Sequence, residues 1–98
     1  MRGFDRMFRL LVEVGVLEAI GKLPQNKARN IRDRVKQLAE NPFPDGYNKK
    51  EIKGTTKSVY RLRVGDYRVF YVLDNVAKEV KVTGFLTAEQ AHGIYGRL

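Results

Sequence analysis

Apolar and polar residues alternate along two neighbouring runs in the middle of the chain, at residues 60–64 and 67–71. Gly65 and Asp66 separate the runs, and a two-residue turn of this kind is typical of a β-hairpin. Side chains alternate across a strand, so the two faces of the hairpin should differ. One face carries Tyr60, Leu62, Val64, Tyr67, Val69, Tyr71 and Leu73, and the other carries Arg61, Arg63, Arg68 and Phe70.

The turn also predicts which residues lie opposite one another. The expected pairs are Val64–Tyr67, Arg63–Arg68, Leu62–Val69, Arg61–Phe70 and Tyr60–Tyr71. Like charges directly opposite each other destabilise a sheet, so the pairing of Arg63 with Arg68 suggests that an anion lies between them. Phosphate suits this position, because the planar guanidinium group binds it through two hydrogen bonds. We expect the apolar face to pack under helices and the arginine face to stay open.

The first half of the chain changes from a strand pattern to a helical pattern. Residues 8–14 alternate as a first strand, and residues 16–23 form a short helix candidate that ends at Pro24. From residue 26 to residue 40 the apolar positions recur at helical spacing, with Asn26 as the expected N-cap. The basic residues on the polar side of this helix are either a solvated face or a phosphate contact.

The second half begins with a loop at residues 42–46 and a short, basic edge strand. Its lysines are Lys49, Lys50, Lys53 and Lys57. The hairpin follows, then a strand at residues 79–85, and then a capping box from Thr87 to Gln90 that begins a helix with His92 and Tyr95. The predicted order is β-α-α-β-β-β-α. It indicates an α+β fold, an antiparallel sheet with a helical hairpin packed on one face.

Composition narrows the class of protein. A chain of 98 residues is expected to form a single domain over 1–98. The formal net charge of +8 indicates a polyanionic partner, with a basic surface kept for solubility as the alternative. No cysteine and a single histidine exclude a disulfide framework and leave a zinc site short of ligands. The longest strongly apolar run, residues 69–73, is too short to span a membrane. We expect a cytoplasmic protein, and we expect no cofactor.

The chain resembles the RelE/ParE toxin superfamily over nearly its whole length. The similarity begins in the strand at residues 8–14 and continues through Leu38-Ala-Glu-Asn-Pro-Phe-Pro-Asp-Gly46 and Ile52-Lys-Gly54. It is strongest in Tyr60-Arg-Leu-Arg-Val-Gly-Asp-Tyr-Arg-Val-Phe-Tyr71. The resemblance implies a RelE-like fold and a toxin of a type II toxin–antitoxin system, a monomer when free and a hetero-oligomer with its antitoxin. RelE-type members bind the ribosome and cleave mRNA, whereas ParE-type members poison DNA gyrase.

The resemblance also implies a set of site residues. Arg61, Arg63 and Arg68 match basic positions of the family that contact the scissile region of mRNA, and Tyr95 matches a tyrosine near the C-terminus. The expected catalytic set is Arg61, Arg63, Arg68, His92 and Tyr95, without a metal. The expected RNA-binding set is Lys50, Lys53, Arg61, Arg63, Arg68 and Phe70. If Phe70 is exposed beside the arginines, it could stack on a base.

The chain departs from the family pattern at two places. Members best understood as nucleases carry lysine where this chain has Arg61 and Arg63, and arginine serves poorly as a general base. They also carry a basic residue after the last strand, but no arginine or lysine lies between Lys81 and Arg97. His92 could take that role, or it could be an ordinary surface residue. Tyr95 could likewise have a packing role alone, with its ring docked on the sheet.

We therefore expect a ribosome-dependent mRNA endonuclease that inhibits translation. The alternative is a ParE-like DNA gyrase poison, or a catalytically degenerate toxin that only binds antitoxin or RNA.

Overall fold

The predicted strands and helices assemble around one five-stranded sheet. A computed structural model describes residues 7–53 and 58–96. Its elements, in chain order, are β1 (Arg9–Val12), α1 (Val14–Gly21), α2 (Gln25–Gln37), β2 (Lys49–Glu51), β3 (Val59–Val64), β4 (Tyr67–Asp74), β5 (Glu79–Thr87) and α3 (Ala88–Tyr95). The strands lie in the sheet in the order β1-β5-β4-β3-β2. Gly54 and Lys57 of the predicted edge strand and turn lie outside the described residues.

The central hairpin has the predicted register. All five expected pairs are present between β3 and β4, including Arg63 opposite Arg68, and Val59 pairs with Val72 beyond them. Gly65 adopts a φ of 57° in the turn, a conformation that glycine reaches without steric cost. Alternation along the two runs and the glycine turn were therefore enough to fix this part of the structure.

The α+β class is confirmed, with two differences in the sheet. β1 pairs with β5 in parallel, so the sheet is mixed and not wholly antiparallel. The helical hairpin of α1 and α2 carries the chain away from β1, and a long connection of this kind permits parallel pairing. The predicted order has three strands after the helices, whereas the structure has four. The short edge strand β2 is a separate strand beside the two hairpin strands and β5.

The first face of the sheet forms the main core with α1 and α2. From α2 and the residue after it, Ala28, Ile31, Val35 and Leu38 are buried, as their helical spacing predicts. They pack with apolar residues of the sheet, namely Leu62, Val64, Val69, Tyr71, Val80 and Val82. The predicted N-cap of α2 is wrong, since Pro24 occupies that position and Asn26 lies within the first turn.

The second face of the sheet is partly covered, in contrast to the open face that we expected. Here α3 packs through Ala91, which forms a small apolar cluster with Ile52 and Phe70. The predicted capping box starts this helix: the Gln90 backbone N–H donates to Thr87 Oγ1, and the Thr87 N–H donates to Gln90 Oε1. Among the described residues, no helix is both long and apolar enough to cross a bilayer.

Candidate functional site

Two arginines face each other on the second face of the sheet. Arg63 on β3 lies directly opposite Arg68 on β4, and both side chains are half-buried. Neither takes part in an ion pair among residues 7–53 and 58–96, where the pairs are Arg9 with Glu79 and Lys53 with Glu51. Positive charge is therefore concentrated at one place without a carboxylate in ion-pair contact, which is the condition for binding an anion.

Arg68 is held close to the hairpin turn. Its Nη1 donates hydrogen bonds of 2.8 Å to the carbonyl oxygens of Gly65 and Tyr67. Burial lowers the pKa of the guanidinium, the nearby charge of Arg63 lowers it further, and Asp66 acts in the opposite direction. These contacts fix the head group while its other nitrogens stay available, so Arg68 can present a localised charge to a phosphate.

Arg61 is buried, although we expected it on an open face. Its side chain is 1% exposed, and Nη1 donates to the carbonyl oxygens of Tyr47 at 3.0 Å and Asn48 at 3.3 Å. Burial lowers its pKa, and the charges of Arg63 and Arg68 lower it further. Arg61 therefore holds the loop before β2 in place. The prediction that it directly contacts RNA conflicts with this burial.

Phe70 is also buried, so the condition for its stacking on a base is not met. Its side chain is 3% exposed because α3 covers it. The Tyr95 ring packs on it, with ring centroids 5.1 Å apart. Tyr95 itself is 41% exposed. Tyr95 therefore lies on the same face of the sheet as the arginines, and the buried Phe70 ring packs against it.

The other predicted residues lie around this centre. His92 is exposed on α3, three residues before Tyr95. Lys50 is exposed on the edge strand β2, opposite Arg61. Lys53 Nζ lies 3.9 Å from Glu51 Oε1 at the surface. Lys50 adds a mobile positive charge beside the arginine face, whereas Lys53 already has a partly compensating carboxylate.

Tyr47 belongs to this region and was missed from the sequence. It is 67% exposed, and Arg63 Cζ lies 5.4 Å from the centre of its ring. It lies directly after the predicted loop at residues 42–46, between the turn Pro44-Asp45-Gly46 and the basic edge strand, where no element was assigned to it. An aromatic residue between a predicted turn and a basic strand was the signal that could have revealed it.

The arrangement suits recognition of a phosphate more than coordination of a metal. Arg63 and Arg68 supply planar donors, Tyr47 supplies aromatic surface beside Arg63, and Tyr95 packs on Phe70 on the same face of the sheet. Within the part of the chain that the structure describes, no group of three or more His, Cys, Asp or Glu side chains could hold a metal ion. Fixed cations of this kind can stabilise charge that develops on a phosphate.

Comparisons with known proteins agree with this fold. The model of the family described as ParE toxin of type II toxin–antitoxin system, parDE, matches residues 17–91. A protein of Methanocaldococcus jannaschii that carries the name toxin RelE1 is 31% identical over 67 residues, which are 67% of this chain and 73% of that protein.

Two solved structures illustrate the structural similarity. The archaeal RelE–RelB complex from Pyrococcus horikoshii contains a chain with a TM-score of 0.72 and 26% identity, over 83% of this chain and 94% of that one. The isolated RelE toxin of E. coli has a TM-score of 0.67 at 16% identity, over 89% of this chain and 98% of that one. The second likeness shows the fold alone. With the family model matching most of its length, the chain belongs to the ParE toxin family of type II toxin–antitoxin systems, within the RelE/ParE superfamily.

Proposed function

We propose that this toxin is a ribosome-dependent mRNA endonuclease that inhibits translation. The observation that carries the proposal is the pair of Arg63 and Arg68, which face each other across the hairpin and form no ion pair with a described residue. Two adjacent cations on neighbouring strands destabilise the free protein, and a bound phosphate diester would relieve that cost. The similarity to proteins named RelE supports RNA over DNA gyrase as the target.

Cleavage of RNA by an internal 2′-hydroxyl requires two proton transfers and stabilisation of the phosphate. The 2′-oxygen attacks phosphorus, its proton passes to a base, and the departing 5′-oxygen receives a proton from an acid. We assign Arg63 and Arg68 to the phosphate oxygens, because arginine does not readily lose its proton. Tyr95 and His92 are the candidates for proton transfer, and Arg61 acts as a positioning residue. No metal enters this scheme.

The partner that we propose for the free toxin is a cognate antitoxin. The P. horikoshii relative was solved as a RelE–RelB complex. The net charge of +8 on this chain favours an acidic partner. Covering the arginine face, or displacing α3 and with it Tyr95, would each neutralise the site. We expect the free toxin to be a monomer, since the apolar face of the sheet is occupied by α1 and α2.

The test is a translation extract with a defined mRNA, in which cleavage sites are mapped by primer extension. The wild-type protein is compared with the double variant Arg63→Ala/Arg68→Ala. A control variant, Lys22→Ala/Lys81→Ala, removes the same charge from two exposed positions, one directly after α1 and one on β5. We expect cuts only with ribosomes present, retained in the control and lost in the Arg63/Arg68 variant. Cuts that persist in that variant would reject the assigned site.

A second function is favoured by one observation, the match to the ParE family model over residues 17–91. If the folded wild-type protein produces no cleavage, inhibition of DNA gyrase supercoiling is the next assay. Inhibition in that assay would identify a gyrase poison. A protein inactive in both assays that still binds its antitoxin or RNA would be a catalytically degenerate toxin.

A further inference from the structure

An exposed aromatic ring stands beside the arginine pair on the loop before β2. Tyr47 is 67% exposed, far more than a packing role requires. Its ring faces the Arg63 guanidinium, with Cζ 5.4 Å from the ring centroid. One face of the ring therefore meets a cation that we have assigned to phosphate, and most of the remaining ring surface is open to solvent.

The loop that carries Tyr47 is held by hydrogen bonds within the loop, from both the Asp45 side chain and the backbone. Asp45 Oδ1 accepts hydrogen bonds of 2.9 Å from the backbone N–H groups of Tyr47 and Lys49. The N–H groups of Asp45 and Gly46 donate to the Lys49 carbonyl oxygen. Gly46 has a φ of 83°, which permits the tight turn. A loop with these bonds presents the Tyr47 ring in a defined position.

A buried arginine also holds this loop. Arg61 donates to the carbonyl oxygens of Tyr47 and Asn48, while its Nε is buried and finds no acceptor among the described residues. Burying a guanidinium group with an unsatisfied nitrogen is costly. The arrangement is a poor one for stability alone. It becomes understandable if the position of the loop matters for binding, because a preorganised surface loses less entropy when a ligand binds.

We propose that Tyr47 stacks on an unpaired base of single-stranded RNA, next to the phosphate that Arg63 and Arg68 bind. This inference rests on the proposed function, in that RNA is the ligand of the arginine pair. Single-stranded RNA is recognised by proteins through stacking on aromatic rings together with contacts to its phosphates. With Phe70 buried under α3, Tyr47 supplies the exposed ring that such recognition requires on the β2 side of the site.

The two kinds of contact can be separated by the chemistry of the ligand. Phosphate contacts are present whether or not the nucleotide carries a base, whereas stacking needs the base. We would measure binding by fluorescence anisotropy with a labelled short oligoribonucleotide and with an oligomer of the same length that contains abasic residues. The proteins are the wild type, Tyr47→Ala and Tyr47→Phe. Val76→Ala, at an exposed position in the turn between β4 and β5, is the control.

We expect the wild type to bind the oligomer with bases about 5- to 150-fold more tightly than the abasic one. Tyr47→Ala should remove that preference without changing affinity for the abasic oligomer, and Tyr47→Phe and Val76→Ala should retain it. Equal binding of both oligomers by the wild type would overturn the inference. An equal loss of affinity for both oligomers in Tyr47→Ala would also overturn it, because the ring would then act only by positioning Arg63.

The outcome separates this inference from the proposed function when ribosome-dependent cleavage is measured on the same proteins. Cleavage by the wild type, together with a base preference that Tyr47→Ala leaves unchanged, would reject stacking and retain the nuclease. A base preference that depends on Tyr47 in a protein that cuts no mRNA would retain stacking and reject the nuclease. Absence of RNA binding by the folded wild type would reject stacking, and the ribosome-dependent cleavage assay would then decide the nuclease by itself.

Discussion

The ring of Tyr95 lies on the ring of Phe70, with centroids 5.1 Å apart and planes inclined by 37°. This contact joins the last helix, α3, to the strand that carries Arg68. Phe70 is opposite Arg61 in the hairpin, so Tyr95 is held on the arginine face of the sheet. One side chain therefore both anchors α3 and carries a phenolic hydroxyl on the face of the sheet that holds the proposed site.

The two roles of Tyr95 predict different results for two substitutions. Tyr95→Phe keeps the aromatic contact and removes only the hydroxyl. We expect its free energy of unfolding to match the wild type, while mRNA cleavage falls about 100-fold or more if the hydroxyl transfers a proton. Urea denaturation and the primer-extension assay measure the two quantities. Full cleavage by Tyr95→Phe would leave Tyr95 with a packing role only.

The matched variant, Tyr95→Ala, removes the ring as well. It should lose about 1–3 kcal/mol of stability, since a partly exposed aromatic contact disappears and Phe70 becomes uncovered. If Tyr95→Ala were as stable as the wild type, the Phe70 contact would not be what holds α3 on the sheet.

Arg61 and Arg68 should respond differently to truncation, although both are on the same face of the hairpin. Arg61→Ala removes a buried side chain that donates to two carbonyl oxygens of the loop before β2. We expect a loss of about 2–4 kcal/mol, because those acceptors and the space around them are left unfilled. Urea denaturation monitored by circular dichroism measures the change. A loss below about 1 kcal/mol would show that Arg61 does not support the loop.

Arg68→Ala should instead remove toxicity with little change in the fold. Its hydrogen bonds go to the turn carbonyl oxygens of Gly65 and Tyr67 beside partly exposed surface, so we expect a stability change within about 1 kcal/mol. Growth arrest after induced expression, with thermal unfolding of the purified variant, tests both statements. A variant that is destabilised yet still toxic would contradict the assignment of Arg68 to the site.

The sequence was sufficient for the hairpin because its signals are local. Alternation and the turn at Gly65 determine which residues pair, and the register of Arg63 and Arg68 follows from them. The capping box at Thr87 is equally local. The parallel pairing of β1 with β5 depends on contacts between residues about seventy positions apart, and no short pattern encodes such a contact.

Burial on the second face could not be predicted for a related reason. Alternation places Arg61 and Phe70 on the arginine face, but it does not indicate what packs there. The loop accepts hydrogen bonds from Arg61, and α3 covers Phe70. The same loop places the Tyr47 ring beside the Arg63 guanidinium. A period-two pattern assigns a side chain to a face, whereas exposure depends on elements that are distant in sequence.

Binding of RNA should depend strongly on salt, and the two arginines should each account for part of that dependence. Each phosphate neutralised on a single strand contributes about −0.7 to the slope of log affinity against log salt concentration. Because both arginines contact one phosphate, we expect Arg63→Ala and Arg68→Ala each to make the slope shallower by part of this amount, and the double variant by about 0.7 in all. Tyr47→Ala should leave it unchanged, because stacking releases no counterions. Titrations at several salt concentrations measure the slopes.

A slope that stays the same in both arginine variants would mean that other basic residues bind the phosphates. The exposed basic face of α2 would then be the next surface to test, with Arg29→Ala and Arg32→Ala as the variants.

The buried hydroxyl of Tyr71 should make the protein less stable at alkaline pH. It donates a 2.7 Å hydrogen bond to the Pro42 carbonyl oxygen, and burial raises the pKa of Tyr71 above its ordinary value of 10.0. Below pH 10 this tyrosine is protonated in both states. Above it, the unfolded chain releases the proton and the folded protein retains it, so the unfolded state binds fewer protons. The free energy of unfolding then falls by up to about 1.4 kcal/mol per pH unit.

Tyr71→Phe separates this contribution from other alkaline effects. The variant should lose about 1 kcal/mol at pH 8, because the Pro42 carbonyl oxygen loses its donor. Above pH 10 its stability should fall less steeply than that of the wild type, so the two curves approach each other. Tyr47→Phe removes an exposed hydroxyl, and we expect its curve to run parallel to the wild type. Urea denaturation between pH 8 and pH 11 supplies the curves. Parallel curves for wild type and Tyr71→Phe would show that ionisation of Tyr71 is not coupled to unfolding.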